Sequence, residues 1–130
     1  MDNLIPVKRK RFIYRKVTVN VTEALKSIDC PEFNLDKNTE SVEGVCLTTD
    51  NEDAIPFLLQ RLEISGNEIL PKDFEARLLY AYASVPVNDR FYEIREPSGN
   101  QNIKISCMDT SITGFVPYKA TYTFKCVLKD

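Results

Sequence analysis

Near its end the chain alternates. In "YKATYTFKCVLK" the residues Tyr118, Ala120, Tyr122, Phe124, Cys126 and Leu128 share one parity, and Lys119, Thr121, Thr123, Lys125 and Lys129 share the other, with only Val127 out of step. Successive side chains of a strand point to opposite faces, so a period of two rich in aromatic and β-branched residues predicts a strand with one buried face. "NIKISC" repeats the pattern with Ile103, Ile105 and Cys107 inward, and "KVTVNVT" sets Val17, Val19 and Val21 against Thr18, Asn20 and Thr22. "DFEARLLYAY" reads as a further strand carrying Phe74, Ala76, Leu78, Tyr80 and Tyr82 on one side, although Leu78, Leu79 and Glu75 also admit a helix. "GVCLTT", "FLLQRLEI" and "RFYEIR" are shorter candidates.

Turn chemistry separates these runs: "DNED" at 50–53, "SGN" at 65–67, "VND" at 87–89, "EPSGN" at 96–100 and "TSITG" at 110–114. Helical signals are few; "TEALKSI" offers barely two turns after Thr22 before Pro31 intervenes. "CPEFNLDKNTESVEG" reads as a surface loop or flap. The expectation is an all-β chain, a single antiparallel β-sandwich of seven or eight strands, jelly-roll-like or immunoglobulin-like, preceded by a basic N-terminal arm.

The 130 residues suit one domain, which buries roughly two thirds of the surface of its unfolded form and needs no metal or disulfide to fold. A hydrophobic share of 43% and a charged share of 28% are ordinary for globular domains and exclude extensive disorder. No apolar stretch resembles a secretion signal or reaches the ~20 residues of a spanning helix, which predicts a cytoplasmic protein with no membrane span. Cys30, Cys46, Cys107 and Cys126 form no C-x-x-C pair, so free thiols in a reducing compartment are expected, and whether any of them pair is left open.

Histidine is absent, which removes Ser-His-Asp and Cys-His nucleophile activation and the imidazole metal sites. The four glycines, Gly44, Gly66, Gly99 and Gly114, lie too far apart for a phosphate-cradling loop or a dinucleotide fingerprint. No cofactor, no metal and no catalytic residue is expected. Asp50, Glu52 and Asp53 cluster in "TTDNED", but a calcium loop's glycine and distal Glu are missing, and a solvated turn accounts for them. Asp89 and Arg90 read as a turn salt bridge, and most of the six tyrosines fall on inward parities, where packing explains them.

Charge is the one strong asymmetry. "VKRKRFIYRK", residues 7–16, holds six of the seventeen Lys and Arg; against Asp2 alone the first sixteen residues carry +5, so the rest sums to −7 within a total of −2. The expected boundary is an arm over residues 1–10 and a β-domain over 11–130. Lys8, Arg9, Lys10, Arg11, Phe12, Tyr14, Arg15 and Lys16 are the predicted partner-binding residues, because basic groups interleaved with aromatic rings suit an acidic neighbouring subunit or sheet extension. The same residues suit weak, salt-sensitive contact with nucleic acid. A ligand-binding sandwich for carbohydrate or peptide, using loops around 50–53, 86–90 and 96–102, is a further alternative that the lack of tryptophan disfavours.

"LEISGNEILPKDFEARLLYAYASVPVNDRFYEI" followed by "EPSGNQNIKISCMD" resembles, in the order of its strands and turns, small β-sandwich virion proteins of bacteriophages, such as capsid accessory or minor capsid components. The resemblance covers about residues 57–128 and transfers no functional residue. It implies a structural role in a virion assembled in the host cytoplasm, with homo- or hetero-oligomeric protein partners and an arm that reaches a neighbour.

Overall fold

The computed structural model describes residues 11–30, 33–81, 91–97 and 102–129. Within them strands dominate: β1 (Phe12–Val21), β2 (Ile28–Asp29), β3 (Phe33–Asn34), β4 (Thr39–Thr49), β5 (Leu58–Ile64), β6 (Asn67–Glu75), β7 (Tyr92–Pro97), β8 (Asn102–Asp109) and β9 (Tyr118–Leu128). Two 3-10 helices, Glu52–Phe57 and Ala76–Leu78, complete the regular structure among the described residues. The described residues are all-β, as the alternation predicts, in nine strands where seven or eight are expected, the surplus coming from the two-residue β2 and β3.

The strands form two antiparallel sheets, one ordered β1-β9-β4-β7 and the other β2-β8-β5-β6, with β3 also on β8. The pairs nest: β1 with β9, β2 and β3 with β8, β4 with β7, β5 with β6. A chain paired in this way is one long hairpin ribbon folded across itself, and the β4–β9 and β5–β8 ladders join its turns into the two sheets. The apex is the β5–β6 turn, where Ile64 faces Asn67 and the two central residues, Ser65 and Gly66, take φ of +52° and +82°. Positive φ at both positions is what a two-residue type I′ turn demands, and Gly66 adopts it without steric cost.

Both sheets feed one core. Val19 and Val21 of β1, Val45 and Leu47 of β4, and Tyr122 and Phe124 of β9 cluster with Leu58 and Ile64 of β5, Leu70 of β6 and Ile103 of β8, each almost fully buried. Every such aliphatic or Phe side chain removed from water contributes about 1.5–3 kcal/mol, and the summed burial of the two facing sets holds the sheets together. The predicted inward residues Ile103, Ile105, Cys107, Tyr118, Ala120, Tyr122, Phe124 and Cys126 are all buried, Leu128 at the end of the same parity is only half-buried, and Val127, the one out of step, is buried instead.

Three local expectations need correction. The strand drawn through "DFEARLLYAY" stops at Glu75 and turns into the 3-10 helix, which leaves Leu78 half exposed and buries Leu79 instead. Leu79 is held there by an exchange with β4: its carbonyl accepts from Leu47 N at 2.9 Å, and Ala81 N donates to Leu47 O at 2.9 Å. The loop read over residues 30–44 is shorter, because β4 begins at Thr39; register shifts between Thr39 and Ser41 and between Val42 and Gly44 obscure its alternation. Last, the turn read in "DNED" opens the first 3-10 helix, with the Asn51 side chain capping Asp53 N at 3.2 Å. The turn at 87–89 lies outside the described residues, as do residues 98–100 of the turn at 96–100.

Candidate interaction surface

Strand β1 ends the four-stranded sheet, so among the described residues one side of its ten residues presents backbone groups without a strand neighbour. Its odd positions Ile13, Val17, Val19 and Val21 turn toward the core, and its even positions Phe12, Tyr14, Lys16, Thr18 and Asn20 are exposed on the outer face. Phe12 is 43% and Tyr14 49% exposed, so two large rings stand side by side on this face.

The register builds a row across that face. Tyr14 is opposite Lys125, Lys125 is opposite Gly44, and Gly44 is opposite Glu93. A glycine in this row leaves a gap in the outer surface, which Phe91 fills: a Cβ on Gly44 would stand 3.0 Å from Phe91 Cβ and 3.0 Å from the Tyr92 carbonyl oxygen. Phe91 thereby reaches Tyr14, with ring centroids 5.7 Å apart and planes tilted by 36°. Lys125 Nζ lies 4.5 Å from the centroid of Phe12, a cation–π arrangement. Phe12, Gly44, Phe91, Glu93, Arg95 and Lys125 enclose an open groove of about 390 Å³.

Of the predicted partner-binding residues, Phe12, Tyr14 and Lys16 share this outer face. Arg11 stands at its margin, where its guanidinium donates to the Lys129 carbonyl at 3.1 Å. Arg15 falls on the opposite parity and forms an ion pair with Asp36. Lys8, Arg9 and Lys10 lie outside the described residues. Sequence reading missed Phe91, Gly44 and Lys125, since only the register brings these residues beside β1.

Two buried polar clusters serve a different purpose. Asp109, 2% exposed, accepts hydrogen bonds from Ser111 N at 2.8 Å, Ser111 Oγ at 2.5 Å and Tyr118 Oη at 2.6 Å. Three donors replace the water that a buried carboxylate loses. Tyr122 Oη donates to Gln60 Oε1 at 3.1 Å and lies 3.2 Å from Cys107 Sγ, while Gln60 Nε2 donates to the Phe74 carbonyl at 2.9 Å. Burial pushes the Cys107 thiol up to about 12 despite the Tyr122 hydroxyl beside it, and pushes Cys126 to about 11. Burial also raises Tyr118, with the Asp109 hydrogen bond adding to the shift. Groups so held stay protonated at neutral pH, which suits pinning the sheets together and not nucleophilic attack. All four cysteines are buried and none is in a disulfide.

Among the described residues no group of three or more His, Cys, Asp or Glu is placed to hold a metal ion, and no helix is long and apolar enough to cross a membrane. What the geometry defines is an all-β domain of two antiparallel sheets whose open edge and aromatic-basic outer face adjoin a basic segment. Comparison with family models, curated proteins and solved structures finds no match to the chain.

Proposed function

We propose that this protein is a non-enzymatic assembly component that works through protein–protein contacts, with the β1 edge, its outer face and residues 1–10 as the contacting region. The observation that carries the reading is the exposure of Phe12 and Tyr14 on an open edge strand continuous with Lys8, Arg9, Lys10 and Arg11. An edge strand supplies main-chain hydrogen bonds to an incoming strand, and the rings beside it supply the apolar area that makes such contacts last.

The nested strand pairing supports a finer reading of the fold, a β-sandwich of jelly-roll type, since that architecture is a hairpin ribbon rolled into two facing sheets. Jelly rolls recur in viral capsid domains and also in lectins and cupins, so the fold raises a virion role by analogy alone. The resemblance of residues 57–128 to small phage virion proteins favours that setting over the others, and we place the protein in a phage particle as a capsid-associated component.

The test is a chain lacking residues 1–10. It should lose self-association or partner binding in sedimentation while its thermal transition stays within a few degrees of the full chain's. Association undiminished by the deletion sinks the arm's role. A second reading, contact with single-stranded nucleic acid, draws on Lys16 and Lys125 beside Phe12, Tyr14 and Phe91, where bases would stack. It requires retention on a DNA column at low salt and release by ~0.2 M.

A further inference from the structure

The opposite end of the molecule carries complementary chemistry. Val21 pairs with Tyr118 and Phe12 with Val127, so the 50–57 and 110–117 segments sit at the far end of β1 from the arm. Large apolar side chains project there: Leu25 is 62% exposed, Phe57 46%, Ile112 88% and Val116 61%. Hydrogen bonds tie them into one region, with Leu25 N donating to the Asp109 carbonyl at 2.7 Å and Thr110 N to the Phe57 carbonyl at 2.8 Å. Leu25 is held in the left-handed region at φ +60°, a strained conformation for a leucine that the surrounding contacts must offset.

Phe57 and Val116 line a cleft of about 170 Å³, together with Asp53, Asp109, Ser111 and Phe115, while Leu25 and Ile112 project outside it. An enclosed apolar cavity of about 150 Å³ accommodates a benzene-sized group, so an open cleft of this volume has room for one side chain, against Phe57, Phe115 and Val116 and beside the acids Asp53 and Asp109. Asp53 lines it, and Asp50 and Glu52 are exposed on the same turn, Asp50 accepting from Lys119 N at 2.9 Å and Glu52 from Tyr80 Oη at 2.6 Å. Apolar residues rimmed by acids call for a segment that is aliphatic and then basic. Residues 4–10, "LIPVKRK", have that composition.

We propose that residues 4–10 of one copy dock on this end of a second copy, an aliphatic side chain entering the cleft and Lys8, Arg9 and Lys10 meeting Asp50, Glu52 and Asp53. The inference rests on the assembly reading above and adds the arm's receptor. Reach excludes the same chain as donor: Lys8 is four residues from Phe12, about 14 Å at full extension, whereas the ten residues of β1 rise about 33 Å. The contact is therefore head-to-tail, joining two different surfaces, and it propagates into rings or filaments unless it closes.

Complementation tests it with the full chain. An arm variant, Lys8→Glu/Arg9→Glu/Lys10→Glu, and a loop-end variant, Asp53→Lys/Val116→Lys, should each associate at least about tenfold more weakly than the unaltered protein, because like charges then face each other. Mixed in equal amounts, they should form species of at least twice 14.9 kDa, since the intact arm of one meets the intact receptor of the other and the two reversed surfaces also carry opposite charge. A loop-end variant that assembles normally while the arm variant does not would overturn this receptor and leave the assembly reading standing. Normal assembly by both variants overturns the two together, and a mixture that stays monomeric overturns the receptor. Should the loop-end variant lose its thermal transition, Val116→Ser, at an exposed position that lines the cleft, replaces it under the same criteria.

Discussion

Tyr14 and Phe91 pack ring on ring at 5.7 Å although β1 and β7 are the two opposite edges of one four-stranded sheet. The contact crosses the outer face over Gly44, whose missing side chain makes room for Phe91. Gly44→Ala should displace Phe91, break the Tyr14 contact and cost about 1–3 kcal/mol, the usual penalty for overpacking a filled site. Urea unfolding measures the loss. Tyr14→Ala should add much less in the Gly44→Ala background than alone, because both changes remove the same contact.

Tyr118 supplies one of the three hydrogen bonds to buried Asp109. Tyr118→Phe should lower stability by about 1.5–3 kcal/mol, the value of a hydrogen bond to a charged group. Thr18→Val, which removes an exposed hydroxyl pair with Thr121 at 3.0 Å, should change stability by less than about 0.5 kcal/mol. Equal effects from the two substitutions would remove Asp109 from the account of the core.

The buried thiols and phenols set an alkaline limit. Cys107 ionises near 9.0 when unfolded and at about 12 when folded, so between these values the unfolded state binds fewer protons and stability falls as pH rises. Cys126, raised to about 11 by burial, adds to the loss over the lower part of that window, and Tyr122 extends it upward from 10.0. These contributions are fully present below about pH 9. Thermal midpoints should decline steadily from pH 9 to pH 12, and Cys107→Ser should shift the profile.

Because every cysteine is buried and outside any disulfide, a thiol reagent at pH 7 should label the folded protein slowly and label all four sites in denaturant. Fast labelling of a single site in the folded state would identify a cysteine reached by local opening.

The strands nearest the chain's end were legible because their inner and outer faces differ sharply: Ile105 and Phe124 are buried, Lys104 and Lys119 exposed. β4 was partly hidden because its register slips at Gly44, and because Val45, Cys46 and Leu47 are buried in succession without alternating. The 3-10 helix at Ala76–Leu78 was misread because adjacent Leu78 and Leu79 satisfy a strand and a helix pattern equally; only the pairing of Leu79 with Leu47 decides which is buried. Phe12, Tyr14 and Lys16 could be singled out from local composition, but Phe91 and Lys125 join them only through cross-strand register, a long-range property that local periodicity does not carry.

The central claim is that the chain associates through its basic arm and aromatic edge. Sedimentation equilibrium of the unaltered protein, from about 0.05 M to about 0.5 M salt, tests it most directly, since added salt screens charge–charge contacts. The account predicts species well above 14.9 kDa at low salt that shift toward 14.9 kDa as salt rises, and a chain starting at residue 11 that stays at its monomer mass throughout. Identical masses for the two chains at every salt concentration would contradict it.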